Sequence, residues 1–202
     1  MTSAPIRDQV ADHLLTPQNS AFLVIDYQPS QFAAVRSMDT DLLRKNIVST
    51  VKTAAAFNLP IVHSTVNVAA GQGNTVPELA ELLGDNPAID CTTARGKTSA
   101  SSPAVRATAR RKLIFCALWT EVCMAFTALD ALRDGYEVYP VVDAIGGTSV
   151  EAHRAGLERV VQAGGRPISS VSLVCELQRD WARKGTMAEV FEIVLTERLL
   201  KE

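Results

Sequence analysis

The feature that most limits what this chain can fold into is a pair of short apolar runs without polar alternation, AFLVI from Ala21 to Ile25 and KLIFCAL from Lys112 to Leu118, with a second strand, IVHSTV, expected from Ile61 to Val66 between them. A strand with one wet face alternates, whereas one that is apolar throughout is buried on both faces, the habit of parallel strands. Helical spacing separates the runs. From a cap at Asp39 or Thr40, apolar residues recur at Leu42, Leu43, Ile47, Val51 and Ala54 or Ala55, and the pattern stops at Asn58-Leu59-Pro60. A short helix is expected from Val76 to Leu83, and Ser102 should cap another with Pro103 at its first position. Shorter strands are expected at Ala88 to Cys91, Tyr136 to Val142 and Pro167 to Val171, with Thr148 to Glu151 (TSVE) as a capping box for the helix that stops at Gly164-Gly165.

Six strands alternating with helices predict the α/β class: a single-domain, doubly wound, parallel six-stranded sheet of order 3-2-1-4-5-6, with helices on both faces. Residues 1–18, polar and interrupted by Pro5 and Pro17, read as an N-terminal arm, and residues 19–202 as one domain. In such a sheet the ligand crevice lies outside the carboxyl ends of strands 1 and 4, where the winding reverses. Asp26 ends the first of these strands. Cys123 follows the fourth, early in a helix expected to begin near Glu121.

A thiol in the first turn of a helix meets unpaired N–H groups and the positive end of the helix dipole, so it is expected to ionise more easily than a free one. The alternative is that Cys123 is a small core hydrophobe and Asp26 a turn residue. Their predicted meeting at the switch point favours chemistry. A cysteine nucleophile needs a base, and the histidines His13, His63 and His153 lie on elements expected away from the crevice, so Asp26 is the candidate. Asp26 in turn needs a cation to bias the ionisation, and Arg95 and Lys97 follow strand 3.

Composition narrows the partners. With 202 residues, net charge −2 and no Lys/Arg run set apart, neither nucleic acid nor a membrane surface is an expected partner. The N-terminal MTSAPIRDQVADHLL lacks the apolar core of a signal peptide and no run is long enough to span a bilayer, so a cytoplasmic protein is expected. The four cysteines, Cys91, Cys116, Cys123 and Cys175, show no CxxC spacing, which argues against a disulfide framework or zinc site.

VIDYQ (Val24 to Gln28), LWTEVC (Leu118 to Cys123), the following MAFTALDALRDGYEVYPVVDAIGGTS and CELQRDW (Cys175 to Trp181) resemble the isochorismatase-like cysteine hydrolases, most closely their YcaC-like branch. The resemblance spans Ala21 to Trp181 and implies a catalytic triad of Asp, Lys or Arg, and Cys. Asp26 and Cys123 match two members by position. An ungapped count puts the basic member near Asp90 or Cys91. A gapped one, with Ser99-Ala100-Ser101 in the family register and the helix at Pro103 shorter by about one turn of roughly 3.6 residues, gives Arg95, with Lys97 as substitute. The resemblance also implies a cis peptide between Leu118 and Trp119, an oxyanion hole from the N–H groups of Trp119 and Cys123, and a substrate pocket including Gln28, Lys97 and Trp119. It further implies a small-molecule substrate, an amide in type, and a homo-oligomer of ring type. The Asp and His metal ligands of the nicotinamidase branch are replaced by STVNVAAG, so no metal or other cofactor is implied. A second reading stays open, a non-hydrolytic oligomeric binding or redox-responsive module.

Overall fold

Ser20–Ile25 (β1) forms the middle of the sheet, and all six of its residues are buried. The structure is a computed structural model that describes residues 8–92 and 102–194. β1 is flanked on one side by Ile61–Val66 (β2) and Ile89–Cys91 (β3), and on the other by Lys112–Ala117 (β4) and Glu137–Pro140 (β5), giving the order β3-β2-β1-β4-β5 with every pairing parallel. Alternate residues of β1 feed two cores. Ala21, Leu23 and Ile25 join Leu113, Phe115 and Ala117 on one face, while Phe22 and Val24 join Ile114 and Cys116 on the other. A strand wetted on neither side favours apolar residues on both faces, which is why AFLVI and LIFCA are continuous rather than alternating, while the polar residues of β2, His63, Ser64 and Thr65, are buried.

The helices divide between the faces. Thr40–Ala56 (α2), capped by the Asp39 carboxylate accepting from Leu42 N, packs Leu43, Ile47 and Val51 on the Phe22 face. Ala125–Arg133 (α5) packs Ala125, Ala128 and Ala131 on the Leu23 face. Small residues there let the helix lie close on the sheet. As expected, Ser102 caps the short Pro103–Ala107 helix, its Oγ accepting from Val105 N at 3.1 Å.

The expected sixth strand is not formed. Arg166 N donates to Val138 O and Ile168 N to Pro140 O, and Val141 and Ile168 make one isolated parallel bridge. The segment then ends because Ser169 caps Ser170–Gln178, accepting from Ser172 N at 3.1 Å. Two or three extended residues beside β5 are all the chain allows before that helix. The TSVE cap also shifts by one residue: Ser149, not Thr148, accepts from Ala152 N at the start of Val150–Gln162. Thr148 is engaged elsewhere, at the candidate site.

Candidate active site

β1 and β4 run side by side to their ends, Ile25 opposite Ala117, and Leu118 N donates to Ile25 O. Beyond these ends both segments leave the sheet. Asp26 takes a left-handed φ of 62°, a conformation that Asp tolerates better than most residues, and its N–H donates to Ser64 O on β2. After β4 the Leu118–Trp119 peptide is cis, and the chain enters a π-helical turn, Thr120–Met124, in which Met124 N donates to Trp119 O. This turn, rather than an α-helix starting near Glu121, carries Cys123. α5 begins after it.

Within this crevice the Cys123 thiol and the Asp26 carboxyl lie close enough for each to shift the other's ionisation, and the Ser64 side chain acts on the same carboxyl. Both groups are buried, Asp26 at 4% and Cys123 at 7% exposure, so each charged form is disfavoured. Burial, aided by Asp90, raises the Asp26 carboxyl to about 6, against the opposing influence of the Cys123 and Ser64 side chains. Burial also pushes the Cys123 thiol well above its ordinary value, followed by the influence of the Asp26 carboxyl. The backbone N–H of Trp119, aimed at Cys123, opposes this. The expected easing of Cys123 ionisation by a helix start is therefore reversed. Desolvation and an adjacent carboxylate outweigh the single N–H that the π turn directs at the sulfur.

Asp90 and Cys91, the positions an ungapped count gives to the cation, both act on the pair. Asp90 raises Asp26 and Cys91 raises Cys123. Asp90 Oδ1 is itself held by Thr65 Oγ1 at 3.1 Å and Val68 N at 3.2 Å. No Lys or Arg among the described residues figures among the influences on either group. Arg95 and Lys97 lie outside the described residues.

Trp119 is half-buried, its indole N–H donating to Gln31 O at 2.9 Å, so the ring is fixed beside the crevice. Gln28, expected in the substrate pocket, is fully buried and spends its amide on backbone. It donates to Val66 O and Gly73 O and accepts from Val66 N, which fixes the chain that follows β2. That is a positioning role, since a side chain committed to three partners has little left for a ligand.

Three residues near the thiol escape a reading of the sequence. Thr120 is fully buried and its hydroxyl is hydrogen-bonded to His153 Nδ1 at 2.8 Å. Glu121 Oε1 accepts from Thr148 N at 3.0 Å and Thr148 Oγ1 at 2.6 Å. His153 was expected on an element away from the crevice but is half-buried against the turn that bears Cys123. The signal available for it was the pair of glycines, Gly147 and Gly156, flanking it at positions where a side chain would collide with Glu121.

A family model described as the isochorismatase domain matches residues 20–172. The "Probable hydrolase YcaC" of Escherichia coli is 34% identical over 173 residues, covering 83% of this chain and 81% of that protein. The crystal structure of the Escherichia coli YcaC gene product, described as an octameric hydrolase of unknown specificity, superposes with a TM-score of 0.83 at 30% identity, over 92% of this chain and 93% of that one. YcaC from Pseudomonas aeruginosa, solved with hexane-2,5-diol and covalent acrylamide, gives 0.82 at 30% identity, over 91% and 93%.

Proposed function

We propose, because the chain belongs to the isochorismatase family of hydrolases, that it is a cysteine-dependent hydrolase of a small molecule, an amide in type, using Asp26, Arg95 and Cys123. The observation that carries the reading is the juxtaposition of the Cys123 thiol and the Asp26 carboxyl, two buried groups that follow β1 and β4 at the sheet's switch point and shift each other's ionisation. A carboxyl raised to about 6 is a better base near neutral pH than an ordinary one. The pair carries one proton and one negative charge, and its described charged neighbour, Asp90, is acidic. A cation is what would make the thiolate form accessible, and Arg95, with Lys97 as its substitute, is the residue we assign.

In this mechanism Asp26 takes the thiol proton and the sulfur attacks the amide carbon, forming a C–S bond. The resulting oxyanion is held by the N–H groups of Trp119 and Cys123. Asp26 then passes its proton to the leaving nitrogen, the C–N bond breaks, and a thioester remains. Water, deprotonated by Asp26, cleaves the thioester and returns the thiol. Two backbone donors aimed at a developing oxyanion contribute a few kcal/mol each. The Trp119 ring walls the pocket.

We further propose a homo-oligomer. Trp181 and Phe191 form a tilted pair 5.6 Å apart, both half-exposed, as suits a face covered by another copy. The four cysteines, without CxxC spacing, suit a reducing compartment, so we assign the cytoplasm. Among the described residues no helix is long and apolar enough to cross a membrane.

The test is turnover of a panel of small amides by the wild type and by Cys123→Ala. The reading predicts release of ammonia or amine by the wild type and a loss of at least a thousandfold in the variant. Equal rates would overturn it. A wild type inert toward every amide, with Cys123 no more reactive than Cys175, would favour the binding-module reading.

A further inference from the structure

The Val150–Gln162 helix (α6) grips the turn that bears Cys123 at three points. At Gly156 the two backbones touch: a Cβ there would lie 2.6 Å from Glu121 Cα and 2.9 Å from Glu121 N. Three residues earlier on the same helical face, His153 Nδ1 is hydrogen-bonded to Thr120 Oγ1. Just before the helix, Thr148 donates twice to Glu121. Thr120 is held from the other side as well, its N–H donating to Gly146 O at 2.9 Å.

Thr120 lies between the two groups that matter for the sulfur. Trp119, whose N–H is aimed at Cys123, immediately precedes it, and Cys123 follows three residues later. Any rotation of the turn about Thr120 therefore moves the donor and the sulfur relative to each other. We propose that His153 is a positioning residue which, through Thr120, fixes the turn that sets the Trp119 N–H and the Cys123 thiol against each other. The inference rests on reading Cys123 as the nucleophile. A neutral ring serves this role without placing a cation behind the turn, and burial lowers the imidazole below its ordinary value, Glu121 opposing.

The test is the rate of Cys123 alkylation by iodoacetamide, read by peptide mass spectrometry with Cys175 as internal reference, alongside the melting temperature. His153→Ala and Thr120→Val should slow Cys123 at least fivefold while leaving Cys175 unchanged. His153→Asn, which returns a hydrogen-bonding atom close to the place of Nδ1, and Thr120→Ser should restore the rate to within twofold. A merely structural role would lower the melting temperature and leave the ratio of the two rates unmoved. That result in both the Ala and Val variants would overturn the proposal, as would failure of both conservative variants to restore the rate. If His153→Ala does not fold, the near-isosteric Thr120→Val decides. A wild type in which Cys123 reacts no faster than Cys175 would instead overturn the nucleophile reading beneath it.

Discussion

Asp26 combines a left-handed φ, 4% exposure and an acidic neighbour in Asp90, each of which raises the free energy of the folded chain while the carboxyl is charged. Its folded value of about 6 lies above the usual 3.8. The group's stabilising contribution is therefore complete below about 3.8 and is lost as pH rises through about 6. Above that, the folded state carries a cost of up to ~3 kcal/mol, at 1.36 kcal/mol per pKa unit. Asp26→Asn, which tolerates the same φ, should therefore abolish turnover yet raise the unfolding free energy at pH 8 by ~1–3 kcal/mol, the gain shrinking toward zero near pH 4. Urea unfolding at the two pH values measures it. The cysteine could be found from its place after the fourth strand, but the direction of its shift could not. That direction depends on how completely the crevice excludes water, which no local pattern records.

At the scale of elements, the contact between α6 and the π turn is as close as backbone allows. Gly→Ala in an exposed helix gains about 1 kcal/mol. Gly156→Ala should instead cost roughly 1–3 kcal/mol, because the new methyl group meets Glu121 backbone at 2.6 Å and neither side can yield cheaply. Thermal unfolding of that single variant checks the sign. The strands were legible because burial on both faces removes the ambiguity of period, and β2 spans Ile61–Val66 as read from the sequence. The extended segment at Ile168 was not, because Pro167-Ile168-Ser169 has the composition of a strand start while Ser169 is already a cap. The His153–Thr120 contact joins residues 33 apart, and only the packing of α6 across the turn brings them together.

Across the whole molecule, residues 12–15 are tied both to the start of β4 and to the end of the Ser170–Gln178 helix. Lys112, 4% exposed, donates to the carbonyls of Asp12, His13 and Leu14 at 2.7, 2.7 and 2.9 Å. Arg179 pairs with Asp12 at 2.9 Å and donates to Leu15 O, while Leu15 N donates to the Glu176 carboxylate. Lys112→Met should lower stability by about 1–3 kcal/mol, since it strands three carbonyls around an apolar chain end, and denaturant titration measures this. The oligomer we propose predicts a native mass several times the 21.8 kDa of one chain, read by light scattering. The central claim is that Asp26 and Cys123 share one proton across the switch point. Its most direct test is the pH profile of Cys123 alkylation in the wild type and in Asp26→Asn. The account predicts a wild-type rate that falls away below about pH 6, as Asp26 takes up its proton. It predicts that the variant lacks this limb, reacting at pH 7 roughly tenfold or more slowly and gaining rate only at alkaline pH, as the buried thiol ionises without a base. Superimposable profiles would contradict it.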